Sequence, residues 1–147
     1  MVLVMMAVAL VVGSGVAVAA VKFGTDGTDE LFGSNGGDVL YGKGGRDFMD
    51  GADGSDIFFG GSGNDLLCGD DCLQGLGSGD DIMFGGSGSD EMTGDGGDDV
   101  LYGEGGDDFL WGVCWDSPAR ADTLTIRDPS FFHSTSLKVS RTSVAES

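Results

Sequence analysis

The stretch GADGSDIFFGGSGNDLLC, residues 51–68, contains two copies of one nine-residue pattern. In each copy glycine occupies the first and fourth places, aspartate the sixth place and an apolar residue the eighth place. Glycine tolerates the backbone conformations of tight turns, and the last three residues alternate as residues of a short strand do. Each copy therefore predicts a six-residue turn followed by a three-residue strand.

The same pattern extends over residues 24–111. Nine units share the frame, five starting from Gly24 and four from Leu76, and all nine have glycine at the fourth place. The second place departs from the pattern, because it is glycine only at Gly61, Gly77 and Gly86. The sixth place is always aspartate, at Asp29, Asp38, Asp47, Asp56, Asp65, Asp81, Asp90, Asp99 and Asp108.

This pattern resembles the RTX, or haemolysin-type, calcium-binding repeat, G-G-x-G-x-D-x-U-x with U apolar. The resemblance implies an all-β fold, a right-handed parallel β-roll in which two units form one coil and stacked coils form two parallel sheets. The eighth-place side chains are then expected to fill the core between the sheets. They are Leu31, Leu40, Met49, Phe58, Leu67, Met83, Met92, Leu101 and Leu110.

Stacking of coils places the aspartates of alternate units in rows along the two edges of the roll. Coils lie about 4.8 Å apart, and carboxylates at that distance repel each other unless cations lie between them. Calcium fits such rows because it binds six to eight oxygens, from carboxylates and from backbone carbonyls alike, whereas magnesium demands a tighter octahedron. We therefore predict that the nine sixth-place aspartates bind several Ca²⁺ ions and that the repeats are largely unfolded without them.

The frame slips at GDDCLQG, residues 69–75. In one interpretation this irregular coil supplies a shortened unit, with Asp71 at the sixth place and a strand at 72–74, so that the roll continues. In the other, it is a bulged loop between a five-unit roll and a four-unit roll. Because Asp70 and Asp71 lie outside full-length glycine turns, we expect them to contribute less to ion binding than Asp56 or Asp90.

The sequence contains three cysteines. Cys68 and Cys72 flank the slip, and a disulfide between them would hold the irregular coil in an exported protein. Cys114 is then left over. The three cysteines and the single His133 lack the spacing of a zinc site.

The N-terminal segment predicts export. Residues 1–20 carry no charged side chain, and Ala17-Val18-Ala19 has the small-x-small form of a signal-peptidase site. We expect a secretory signal peptide cleaved after Ala19 or Ala20. The alternative is a membrane anchor, since about twenty apolar residues can span a bilayer. The repeats are then extracellular, either secreted or held at the outer face of the membrane, and residues 112–147 form a tail of unknown structure.

The charge balance restricts the partners. The chain has 25 acidic and 7 basic residues, a net charge of −18, which argues against nucleic acid and favours cations. No catalytic constellation accompanies the single histidine, so we expect neither an enzyme nor a small-molecule substrate. The sequence favours a secreted calcium-binding protein. The alternatives are a structural or adhesive module, or a calcium-binding fragment of a larger secreted enzyme or toxin.

Aromatic residues are frequent at the outward places of the predicted strands. They either form ladders of stacked rings or provide a surface for cell-surface contact or self-association. These residues are Phe32, Tyr41, Phe48, Phe59, Phe84, Tyr102, Phe109 and Trp111.

Overall fold

The computed structural model describes residues 19–70 and 79–111 and a two-residue strand at 125–126. The described residues contain strands and turns, with no helix that is long and apolar enough to cross a membrane. The strands are β1 (Val21–Phe23), β2 (Glu30–Phe32), β3 (Val39–Gly44), β4 (Phe48–Asp50), β5 (Ile57–Ser62), β6 (Leu66–Cys68), β7 (Ile82–Ser87), β8 (Glu91–Thr93), β9 (Val100–Gly105), β10 (Phe109–Trp111) and β11 (Thr125–Ile126).

The strands alternate between two parallel sheets. The odd sheet has the order β1-β3-β5-β7-β9-β11, and the even sheet has the order β10-β8-β6-β4-β2. Each coil therefore contributes one strand to each sheet, and the coils stack as a solenoid of about 5 turns. The predicted parallel β-roll is confirmed.

The core is a single column of side chains between the sheets. All nine eighth-place residues belong to one buried cluster, in which the central seven have no exposed surface. Only Leu31 and Leu110, at the two ends of the column, are slightly exposed, at 9% and 5%. The prediction for these nine residues is confirmed, and it follows from the strict alternation of side chains along each three-residue strand.

The outward face of the odd sheet carries a ladder of stacked rings. Phe23, Tyr41, Phe59, Phe84 and Tyr102 follow one another with ring-centroid separations of 4.9, 4.8, 5.1 and 4.7 Å. These separations match the distance between neighbouring strands, so register alone brings the rings into contact. On this face the aromatic residues stack on one another, as the first of the two interpretations expects.

The frame slip is an insertion into one turn. β5 pairs directly with β7, and β6 pairs directly with β8. Pairing aspartates on either side of the slip are 25 residues apart, whereas those of regular coils are 18 residues apart. The extra residues therefore lie within the single turn that joins β6 to β7.

This register corrects the first place of the unit that contains Asp81, which the sequence frame put at Leu76. The roll continues across the slip, as expected, with β5 paired to β7 and β6 paired to β8. The predicted strand at 72–74 and Asp71 lie outside the described residues. Gly69 holds the first place of the turn that ends at Asp81, because a Cβ added to Gly69 would meet Asp81 Oδ2. Sequence spacing could not show this, since both interpretations preserve the nine-residue frame on each side.

Cys68 is disulfide-bonded. The predicted partner, Cys72, and the leftover Cys114 lie outside the described residues, so the predicted pairing stays a prediction. The segment 1–18 and nearly all of the tail 112–147 also lie outside them.

Candidate metal centre

Each sixth-place aspartate lies immediately before a strand and turns its side chain back into its own turn. Asp38 precedes β3, for example, and Asp56 precedes β5. The central seven are buried, with at most 3% of their surface exposed, whereas Asp29 and Asp108, at the two ends of the roll, are half-buried. The fold thus brings all nine predicted site residues into equivalent positions.

The nine aspartates form two ladders of hydrogen bonds. In each ladder the backbone N–H of one aspartate donates to Oδ1 of the aspartate one coil further on, at 2.6 to 3.0 Å. The even ladder, which precedes the even strands, comprises Asp29, Asp47, Asp65, Asp90 and Asp108. The odd ladder starts at the N–H of Ala20 and comprises Asp38, Asp56, Asp81 and Asp99.

The second carboxylate oxygen, Oδ2, faces the first-place glycine of the same turn. A Cβ added to Gly85 would lie 2.5 Å from Asp90 Oδ2 and 2.9 Å from the carbonyl oxygen of Gly103, one coil further on. Glycine therefore keeps open a space into which a carboxylate oxygen and a carbonyl oxygen from adjacent coils converge. The Oδ2 atoms that are buried and accept no hydrogen bond include those of Asp47, Asp56, Asp65, Asp81 and Asp90.

This donor set fits calcium. A buried carboxylate oxygen without a partner is unfavourable, and a hard cation that accepts both carboxylate and carbonyl oxygens relieves that cost. Among the described residues no three His, Cys, Asp or Glu side chains converge on one point. A site here therefore combines few carboxylates with backbone carbonyls of the glycine turns, which calcium accepts.

Comparison with known families agrees with this geometry. The model of the RTX calcium-binding nonapeptide repeat (4 copies) matches residues 23–58, 32–67 and 76–112, more than half of the chain. The chain belongs to this family. The matched residues include all nine ladder aspartates, and RTX repeats bind calcium in general. Neither a curated protein nor a solved structure matches the chain.

Four of the RTX units that lack glycine at the second place still have positive φ there. Their φ values are smaller than those of Gly61 (107°) and Gly86 (106°) but have the same sign. This conformation costs an ordinary residue about 1–2 kcal/mol, which the surrounding coils compensate. The four residues are Lys43 (79°), Ala52 (67°), Asp95 (61°) and Glu104 (70°).

Burial raises the pKa values of five ladder aspartates, namely Asp47, Asp56, Asp65, Asp81 and Asp90. The pKa of Asp81 rises to about 8 and that of Asp56 to about 7, chiefly because burial disfavours the charged form; neighbouring carboxylates add to the rise, and the N–H donors oppose it. The pKa values of Asp47 and Asp90 rise to about 6 for the same leading reason. In the absence of a cation, these four carboxylates are therefore protonated as the pH falls through the range of about 8 to 6.

Asp70 is a buried carboxylate that belongs to neither ladder. It has no exposed surface, its Oδ2 accepts the N–H of Gly96 at 3.2 Å, and its Oδ1 accepts no hydrogen bond. Burial raises its pKa to about 7, and repulsion from Asp95, Asp53 and Asp50 adds to the effect. Asp70 holds the second place of the unit that starts at Gly69, a position that the frame slip conceals in the sequence.

Proposed function

We propose that this chain is a secreted calcium-binding protein whose repeats fold into the β-roll when calcium binds. The observation that carries the proposal is the set of five buried Oδ2 atoms that accept no hydrogen bond, at Asp47, Asp56, Asp65, Asp81 and Asp90. Each faces an open glycine position in its turn. Membership of the RTX family supports calcium as the cation.

The residues that would hold the ions come from both edges of the roll. At each turn the aspartate Oδ2 of one coil would act together with the first-place glycine carbonyl of the next coil, as Asp90 and Gly103 illustrate. Asp99 and Asp108 occupy the same place in the ladders and complete the proposed set beyond the five. Bound calcium supplies the positive charge that makes close stacking of these carboxylates favourable.

Such ligation couples ion binding to folding. The two oxygens belong to different coils, so a calcium site exists only after the coils have stacked. A ligand that binds the folded state alone stabilises it by about 2.7 kcal/mol per site at a hundredfold excess over the dissociation constant. The core is only one side chain wide, so the chain without calcium is mostly unfolded. Several calcium sites together shift it to the folded state.

Substitution within a ladder tests this proposal. Asp56→Asn keeps an acceptor for the N–H of Asp38 but removes the charge, so fewer calcium ions should bind per chain in equilibrium dialysis. Asp53→Asn is the matched control, because Asp53 lies in the same turn, is exposed and belongs to neither ladder. Equal calcium counts for the parent and both variants would contradict the assignment of Asp56 as a ligand.

Export is part of the proposal, supported by the uncharged segment 1–20 and by the frequent secretion of RTX proteins. Extracellular calcium suits weak sites, in the range of about 10⁻⁴ to 10⁻³ M. Mass spectrometry of the exported chain should find residues 1 to 19 or 1 to 20 removed. An exported chain that retains Met1 would favour the membrane anchor.

A structural or adhesive role is the second candidate. The ends of the even sheet expose large rings, with Phe32 and Phe109 about half exposed at 51% and 50%. A calcium-ordered roll would present these ends to a cell surface or to another copy of the chain. Sedimentation of the calcium-bound chain should then show association that Phe32→Ser or Phe109→Ser reduces.

A further inference from the structure

The first two turns of the roll are closed by hydrogen bonds to the ladder carboxylates. In the turn 24–29, the backbone N–H and Oγ1 of Thr25 donate to Asp29 Oδ2 at 2.6 and 2.9 Å. In the turn 33–38, the backbone N–H and Oγ of Ser34 donate to Asp38 Oδ2, the hydroxyl at 3.0 Å. Protein donors thus satisfy the oxygen that, in the turns of Asp47 and Asp56, is buried and accepts no hydrogen bond.

The second-place residue behaves differently in the following turns. Lys43 and Ala52 adopt φ values of 79° and 67°, and the Oδ2 atoms of Asp47 and Asp56 in their turns accept no hydrogen bond. Thr25 and Ser34 are not among the described residues with positive φ. The backbone at the second place therefore differs between the first coil and the turns of Lys43 and Ala52, and in the first coil it turns donors toward Oδ2.

The fourth place shows the same division. Gly27 and Gly36, in the first coil, are not among the described residues with positive φ. In six of the later turns this glycine has φ between 113° and 147°, at Gly45, Gly54, Gly63, Gly88, Gly97 and Gly106. The first coil therefore differs from the turns of Lys43 and Ala52 at two backbone positions, the second and the fourth place.

We propose that Thr25 and Ser34 exclude calcium from the first two turns, so that the first coil is a metal-independent cap on the calcium-binding roll. This inference rests on the proposed calcium-binding function. The hydroxyl and amide hydrogens carry partial positive charge and point at the oxygen that a cation would need, so they neutralise the carboxylate in its place. Asp29 and Asp38 then serve as structural members of the ladders, and the ion-binding aspartates begin at Asp47.

A gain of calcium sites tests the proposal. The full chain carrying Thr25→Gly and Ser34→Gly should bind more calcium per chain than the parent in equilibrium dialysis, because glycine lets both turns adopt the backbone of the later ones. Ala52→Gly is the matched control, since its turn already has positive φ, and Ser34→Thr keeps the hydroxyl; both should leave the count unchanged. A folded double variant with the parental count overturns the inference.

A measurement on the parent chain is independent of whether the variants fold. Anomalous X-ray scattering from crystals of the calcium-saturated chain should locate ions beside Asp47, Asp56 and Asp65 and none beside Asp29 or Asp38. An ion at either of the first two turns overturns the cap while leaving the proposed function intact. Calcium at no turn in the chain contradicts the proposed function itself.

Discussion

The backbone N–H of Asp56 donates a 2.8 Å hydrogen bond to Asp81 Oδ1, although 25 residues separate the two aspartates. The neighbouring contacts of the odd ladder span 18 residues and have the same form, from Asp38 to Asp56 and from Asp81 to Asp99. The insertion leaves the ladder intact because all the additional chain lies in one turn, between Gly69 and Asp81.

Removal of the insertion should therefore preserve the roll. Deletion of residues 71–77 joins Asp70 to Ser78 and gives GDSGDDIMF, a complete nine-residue unit. Roughly halving the length of the turn lowers its closure cost by about 0.6 kcal/mol, so the midpoint of urea unfolding in calcium should stay equal or rise. Cys68→Ser in both the variant and its parent removes the thiol as a variable. Loss of calcium-dependent β-structure in the deletion variant would contradict this account.

The fourth-place glycines should differ in their tolerance of a methyl group. Gly63 has a φ of 129°, and an added Cβ would lie 2.5 Å from the carbonyl carbon of Gly45. Gly63→Ala should lower the free energy of unfolding in calcium by more than about 2 kcal/mol. Among the described residues no coil precedes that of Gly27, and the Cβ added to Gly27 has Thr25 Oγ1, at 3.8 Å, as its nearest neighbour.

Gly27→Ala is thus a control at the same place of the repeat, and it should change the urea midpoint little. Equal losses for the two variants would show that the fourth place requires glycine for a reason other than stacking between coils.

Lower pH should stabilise the calcium-free fold. The folded pKa values of Asp56 and Asp81 are about 7 and 8, above their ordinary value of 3.8. The folded chain therefore binds more protons than the unfolded chain in this interval. The resulting stability is complete below about pH 4 and is lost progressively as the pH rises from about 4 to the folded pKa values of about 7 and 8. Circular dichroism in calcium-free buffer should show more β-structure at pH 5 than at pH 8, and the reverse order would contradict the burial of these carboxylates.

Asp70→Asn should stabilise the calcium-bound chain at pH 8. Asparagine retains an acceptor for the N–H of Gly96 and removes a buried negative charge that Asp95 repels. The free energy of unfolding should rise by about 1–3 kcal/mol. The gain should disappear near pH 5, where the carboxyl is protonated. Exposed Asp53→Asn is the control for net charge. Bound calcium should be measured alongside the urea midpoint. If Asp70→Asn bound less calcium than the parent, Asp70 would be a calcium ligand and the prediction would be wrong.

The nine-residue pattern predicts most of the fold, because the residue at each key place of the unit must meet one physical requirement, such as burial or a tight turn. Alternation in a three-residue strand decides that Leu40 and Phe58 are buried, and stacking decides that Asp38 and Asp56 are neighbours. The location of the insertion does not follow from the pattern, since a shortened unit and a lengthened turn give the same frame downstream. Only the pairing of β5 with β7 distinguishes them.

The backbone conformation and the burial of individual turns also do not follow from the nine-residue pattern. The sign of φ at the second place depends on how the turn packs against its neighbours, so Ala52 behaves as glycine does while Ser34 does not. Likewise, the burial of Asp70 results from contacts between coils that sequence distance does not encode.

The central claim is that calcium ligation and folding of the roll are one event. Far-ultraviolet circular dichroism of the full chain at pH 8, in chelator and then with increasing calcium, tests it most directly. Because neighbouring coils share each site, β-structure should be largely absent in chelator and should rise steeply over a narrow range of calcium, with magnesium a poor substitute. A spectrum already rich in β-structure in excess chelator, and unchanged by millimolar calcium, would contradict the account.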